Sequence, residues 1–176
     1  MAVAESEHFE RWMQNSLPIV SPATPGDLRV ELEAARYNPD QRQIVRIDNP
    51  MAWLMEPVRA GLLGAPLLVE VLADPGELII ADGHAIIFVN TPHQCEIRLE
   101  NMASVEVIIA PHSAASIMVW GQATATVTIR TGGRGSLHLR TLTANGEIRG
   151  DTSHFWVSDV RDQIETSRSD SEGEDW

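Results

Sequence analysis

AIIFV at 85–89, CEIRL at 95–99, VEVII at 105–109, ASIMV at 115–119, ATVTI at 125–129 and GSLHL at 135–139 recur every ten residues. The third and fifth places are Ile87 and Val89, Ile97 and Leu99, Val107 and Ile109, Ile117 and Val119, Val127 and Ile129, Leu137 and Leu139, all branched aliphatics. The first place is small or compact: Ala85, Cys95, Val105, Ala115, Ala125, Gly135. Apolar residues alternate with others inside each block, the period of a strand with one buried face. Glu96, Arg98 and Glu100, or Thr126, Thr128 and Arg130, then point away from the core.

Five strand residues and five connecting residues fit two mainly-β architectures. In a β-solenoid, two blocks make one coil of about twenty residues and the coils stack in parallel. In an antiparallel meander or small barrel, each block is one strand and the remainder a hairpin loop. Only Gly132-Gly133 and Asn145-Gly146 are strong hairpin signals. A small first place suits a narrow solenoid whose two sheets approach at a corner, so the solenoid is preferred, with about three coils and a cap at each end.

The flanks read differently. Residues 1–26 combine a helix over 6–16, with Ser6 as N-cap and Phe9, Trp12 and Met13 on one face, and a Pro-rich arm containing Pro22 and Pro25. Residues 27–84 read as a small α/β lead-in that caps the first coil. Leu28, Val30 and Leu32 alternate as an edge strand, although the stretch to Arg36 also tolerates a helix. Ile44, Val45 and Ile47 mark a short strand, and Asn49-Pro50 opens a helix with Trp53, Leu54, Val58 and Leu62 on one face. Two further strands follow at Leu67–Leu72 and Leu78–Ala81. The repeat core covers 85–150. Phe155, Trp156, Val160 and Ile164 lie near helical spacing, which predicts a C-terminal capping helix over 151–165. Residues 166–176 are polar and acidic, read as a disordered tail ending in Trp176.

At 176 residues and 43% hydrophobic content the chain supports one core, and no apolar run approaches the roughly 18 residues of a membrane helix. A net charge of −12 argues against nucleic acid and anionic membranes as partners. Residues 85–150 carry four acids and five arginines, so the repeat is near neutral between acidic flanks. The basic residues are all arginine, as expected from a GC-rich genome. The single cysteine, Cys95, excludes a disulfide framework and reads as a buried inert thiol. No signal peptide is legible in MAVAESEHFERW, which points to a cytoplasmic protein, at least before assembly.

Nothing amounts to a catalytic or cofactor signature. His93 and His112 fall in equivalent linkers and would share a corner of a solenoid, yet metal sites want three or four ligands. The paired His-x-His and Gly-Pro-Gly-His elements of a cupin are missing. His84, His138 and His154 have Ser or Asp neighbours but no nucleophile elbow. GGRG at 132–135 lacks the helix start and Lys-Ser/Thr of a phosphate loop. Arg130, Arg134, Arg140 and Arg149 read as a basic patch at one end of the stack. Met118 and Trp120 stand on an outward row where Arg98 and Glu100 stand one coil earlier, the mark of an interface. Phe9, Trp12 and Trp176 are further candidates for contact with a neighbour.

The Ala-Thr-Val-Thr alternation of GQATATVTI at 121–129 resembles β-helical repeat segments in proteins of actinobacterial phages. That resemblance covers about 60 residues and carries no functional residues across. It implies a virion structural protein. The expectation is therefore a non-enzymatic structural or decoration protein without cofactor. It would act as a homo-oligomer, a trimer for example, and bind itself, a capsid or another protein surface. Two alternatives stand beside it: a monomeric module binding a glycan or protein through Trp120, and a metal-dependent enzyme on a small barrel using His93 and His112.

Overall fold

Strands twenty residues apart pair in parallel, which closes the ten-residue frame into a β-solenoid rather than a meander. The computed structural model describes residues 17–37, 43–51, 57–61 and 66–161. A short strand β1 (Ile19–Val20) precedes a helix, α1 (Pro25–Tyr37). Then follow β2 (Ile44–Ile47), β3 (Val58–Arg59), β4 (Leu67–Val71), β5 (Glu77–Asp82), β6 (His84–Val89) and β7 (Gln94–Leu99). The chain continues with β8 (Ser104–Ile109), β9 (Ala114–Val119), β10 (Thr124–Ile129), β11 (Arg134–Leu139), β12 (Asn145–Gly150) and β13 (Phe155–Asp159). The first sheet runs β1-β2-β4-β6-β8-β10-β12 and the second β3-β5-β7-β9-β11-β13. From β4/β5 to β12/β13 this makes five two-strand coils, with β2 and β3 as an incomplete coil before them.

The inward rows are the repeat's first, third and fifth places. Val69, Ile87, Val107 and Val127 stack in register in the first sheet, and Ile97, Ile117 and Leu137 in the second, each nearly or wholly inaccessible. Three buried aliphatics contribute about 5–9 kcal/mol, while ordering six residues costs about 6–12 kcal/mol of backbone entropy. A lone strand is thus near neutral at best, and stacking supplies the margin.

The two corners use mirror-related turns. At the corner leaving the first sheet, Ala110 O accepts from Ser113 N (3.1 Å) and Arg130 O from Gly133 N (2.8 Å), with positive φ at the third residue, His112 or Gly132. At the corner leaving the second sheet, Glu100 O accepts from Ala103 N and Trp120 O from Ala123 N, with positive φ at the second residue, Asn101 or Gly121. These φ signs are those of type II and type II′ turns. Ala103, Ala123 and Ala144 line the inside of the second corner and are buried.

Helix α1 replaces the edge strand expected at Leu28–Leu32. Thr24 Oγ1 accepts from Asp27 N (3.1 Å) and donates to Asp27 Oδ2 (2.7 Å), and Pro25 takes the first helical position. Leu28 and Leu32, one turn apart, are wholly buried with Ala35 against the core, whereas Val30 is 65% exposed. The alternation was incidental; the cap decided. This helix packs on β2, β3 and β4 and closes that end of the stack.

Three other expectations change. The segment 27–84 is not a separate α/β lead-in, because β2 to β5 are members of the two sheets. The helix expected from Pro50 onwards is contradicted at Val58, which lies in β3 with its side chain in the core; Trp53, Leu54 and Leu62 lie outside the described residues. The capping helix expected over 151–165 is contradicted at Phe155–Asp159, which pairs with β11 as β13. The helix expected over 6–16 and the tail 166–176 also lie outside the described residues. Among the described residues no helix is long and apolar enough to cross a membrane.

The tight stacking fixes one comparison. At Gly135 (φ +147°) an added Cβ would sit 1.8 Å from Ala115 O, whereas at Gly26 in α1 the nearest atom is 3.9 Å away. Gly135→Ala is expected to destabilise by more than about 3 kcal/mol in urea unfolding, and Gly26→Ala to stabilise by about 0.5 kcal/mol.

Candidate functional site

The outer face of the second sheet holds the residues that the core does not explain. Register places Arg98, Met118 and His138 in one outward row across β7, β9 and β11, and Ser136 beside Trp156 of β13. Met118 is half-buried between its neighbours. Trp120, at the corner after β9, is 36% exposed, with the Arg98 guanidinium over its ring at 5.4 Å. Arg98 Nε also lies 2.8 Å from Glu100 Oε1. His138 meets Trp156 edge to face with ring centroids 4.7 Å apart. The result is a diagonal band, Trp120–Met118–His138–Trp156, from one corner to the last strand.

Exposed apolar residues gather on the same side. Met102, Trp120 and Leu142 occupy one corner on consecutive coils, and Trp156 lies on the outer face of the last strand, with exposures of 69, 36, 61 and 58% respectively, whereas Val157 sits on the inward row at the open end of the stack. Neither the lead-in nor a C-terminal helix covers Met118 and Trp120 among the described residues. Beside Trp156 an open groove of about 520 Å³ is lined by Pro92, Gln94, Arg134, Ser136 and His154.

The far end of the stack is tapered. Gly146, Ile148 and Gly150 of β12 fall on the inward rows of Ala125, Val127 and Ile129. On β13 the inward places are Phe155, Val157 and Asp159. Asp159 is engaged by Arg161 through paired contacts of 2.7–3.0 Å, which hold its carboxyl below the usual carboxylate range. At the neighbouring corner Asp151 accepts from Ser153 Oγ and N and from Gly132 N one coil earlier, and these bonds bring its carboxyl down to about 2.

Metal and nucleophile candidates do not assemble. His93 and His112 share one corner, but the His112 imidazole lies over Gly132 of the following coil, whereas His93 belongs to the coil before. Among the described residues no group of three or more His, Cys, Asp or Glu could hold a metal. Cys95 is wholly buried, and burial pushes its thiol far up, aided by Asp74 and Glu96. His138 Nε2 is 3.0 Å from Ser136 Oγ, which in turn donates to Ser116 Oγ at 3.2 Å. Ser136 is only 4% exposed and no carboxylate hydrogen-bonds His138 among the described residues, so this chain of contacts reads as packing across coils. The four arginines do not form one patch. Arg149 lies on the outer face of the first sheet and pairs with Glu147, Arg134 lies on the outer face of the second, and Arg130 and Arg140 sit at opposite corners.

No family model, curated protein or solved structure matches the chain. The site is therefore read from its geometry. Of the predicted interface residues, Met118 and Trp120 lie in the band, while Phe9, Trp12 and Trp176 lie outside the described residues. Sequence reasoning missed Trp156 and the partnership of His138. The signal existed: Phe155, Val157 and Asp159 continue the frame's first, third and fifth places, although Trp156 and Val160 also fit a helix.

His84 and His138 both have imidazoles held below the ordinary value of 6.5, His84 by burial, and His138 by burial and then by Arg140. Among the described residues His84 Nδ1 is also buried without a hydrogen-bond partner. The unfolded chain then binds more protons than the folded one just below that pH, so stability rises with pH there. Their contribution is complete above 6.5 and is lost as the pH falls through the lowered folded values. The urea midpoint should drop as the pH falls below 6.5, and the double variant His84→Gln/His138→Gln should flatten that drop.

Proposed function

We propose that the protein is a non-enzymatic structural protein that works by self-association through the outer face of its second sheet and the adjoining corner. The observation that carries this is the gathering of Met102, Trp120, Leu142 and Trp156 on one side of the stack. Scattered exposed apolar residues are ordinary, whereas a set aligned along three or more coils is the composition of an interface. Aromatic anchors beside an arginine suit such a contact, since tryptophan and arginine dominate binding energy at protein interfaces. A near-neutral repeat between acidic flanks keeps like charge out of the contact. The resemblance of 121–129 to phage β-helical segments supports placing such an assembly in a particle, with a capsid protein as a further partner.

A second reading, a binding module for a glycan, rests on the groove beside Trp156. Trp156 is the better platform than Trp120, whose ring already carries Arg98. Light scattering on a sizing column separates the two. Assembly predicts a stable multiple of 19.4 kDa, returned to the single-chain mass by Trp120→Glu with Leu142→Glu at unchanged circular dichroism. A single chain at every concentration overturns the assembly reading, and glycan binding lost in Trp156→Ala would then replace it.

A further inference from the structure

The outer face of the first sheet poses a separate problem. Ile44 of β2, Leu68 of β4, Phe88 of β6 and Ile108 of β8 point outward by register, yet they are only 2, 5, 8 and 2% exposed. With Ala110 they form a second hydrophobic cluster, distinct from the core, against which Ile86 and Leu17 pack. Outward residues further along the same sheet, Glu106, Thr126 and Thr128, keep partial exposure. Lateral neighbours on one sheet do not bury a side chain as completely as a core position; a second layer does.

We propose that residues 6–16 of the same chain form that layer, docking as an amphipathic helix across β2, β4, β6 and β8. Four observations converge on this occupant. Leu17 touches the cluster, and Pro18 O accepts from Ile44 N at 2.9 Å, so the preceding segment starts from the edge of the patch. Leu17 also sets the phase: Phe9, Met13 and Leu17 are spaced four apart with Trp12 beside them, one apolar stripe whose last member is already in contact. The length fits, because three inter-strand spacings span about 14 Å and eleven helical residues about 16 Å. Other segments fit less well. Residues 38–42 join α1 to β2, 52–56 lead to β3 of the second sheet, 62–65 join Gly61, bridged to His84, to β4, and 162–176 follow β13 at the opposite end with a polar, acidic composition.

The docking does not depend on the association surface proposed above, which lies on the other sheet. Amide hydrogen exchange read by mass spectrometry tests it on the full chain. Residues 6–16 should be protected at least tenfold over an unstructured segment, and Ile108→Glu should abolish that protection while β10–β13 stay protected. Should Ile108→Glu fail to fold, Phe9→Ser with Trp12→Ser leaves the strands untouched and should raise binding of an apolar dye such as anilinonaphthalene sulfonate. Both measurements are repeated with Trp120→Glu/Leu142→Glu, which removes association through the second sheet. Protection that persists in a single-chain species at every dilution supports the proposal. Protection lost on dilution together with a fall in mass assigns the layer to a second copy and overturns docking in cis. Free exchange of 6–16 with no dye response overturns the docked layer altogether.

Discussion

The parallel ladder between residues one coil apart is the constraint on which everything else depends. It aligns Ala85 with Val105 and Ala125, and Cys95 with Ala115 and Gly135, so each inward row must accept the same shape on successive coils. At two points of this ladder only glycine is accommodated. At Gly135 the backbone of Ala115 comes so close that no side chain fits, and the last coil repeats the situation at Gly150 against Ile129. On each side of the stack, two successive corners share one kind of turn with positive φ. The pairs are Asn101 over Gly121 and His112 over Gly132; Asn accepts that conformation cheaply, and His112 does so at a cost of about 1 kcal/mol.

A solenoid has two ends, and this chain treats them unequally. At the first, α1 inserts Leu28 and Leu32 into the core and β1 extends the sheet by one short strand. At the other, the inward rows are thinned by Gly146 and Gly150 and interrupted by Asp159 with its Arg161 partner. An inward charge is a known way of blunting a strand edge. Glu147 and Arg149, paired on the exposed face of β12, add to that effect.

The core was legible because the stack is strictly periodic where coils have twenty residues. Outside that span the spacing changes: Leu67 pairs with Ala85, Glu77 with Glu96, and Ala125 with Gly146. Coils of eighteen, nineteen and twenty-one residues break a ten-residue frame while leaving the ladder intact, since corners absorb an insertion that strands cannot. Hence β4 and β5 were visible as strands but not as members of the stack, and β12, though inside the repeat core of 85–150, showed only a turn signal at Asn145-Gly146. Leu28 to Leu32 and Phe155 to Val160 misled for a different reason. Each holds apolar residues compatible with periods of both two and 3.6, and what decided them was non-local or capping chemistry: Thr24 and Asp27 for the helix, pairing with β11 for the strand. In the candidate site, Met118 and Trp120 were legible as departures from a charged row, whereas Trp156 needed the fold to place it beside His138.

The ladder constrains inward rows and is indifferent to outward ones, so the outward rows are free to differ from coil to coil. In the first sheet one such row runs Ile44, Leu68, Ile86, Glu106, Thr126, turning from apolar to polar as it leaves the second cluster. In the second it runs Ile79, Arg98, Met118, His138, Ser158, with the aromatic band at its far half. That arrangement favours lateral over end-to-end contact. A second copy continuing the stack would have to enclose Asp159 on the row of Leu139, and burying a carboxylate costs several kcal/mol even with its arginine alongside. A copy approaching from the side meets Trp120, Leu142 and Trp156 instead, and leaves the Asp159–Arg161 pair in water.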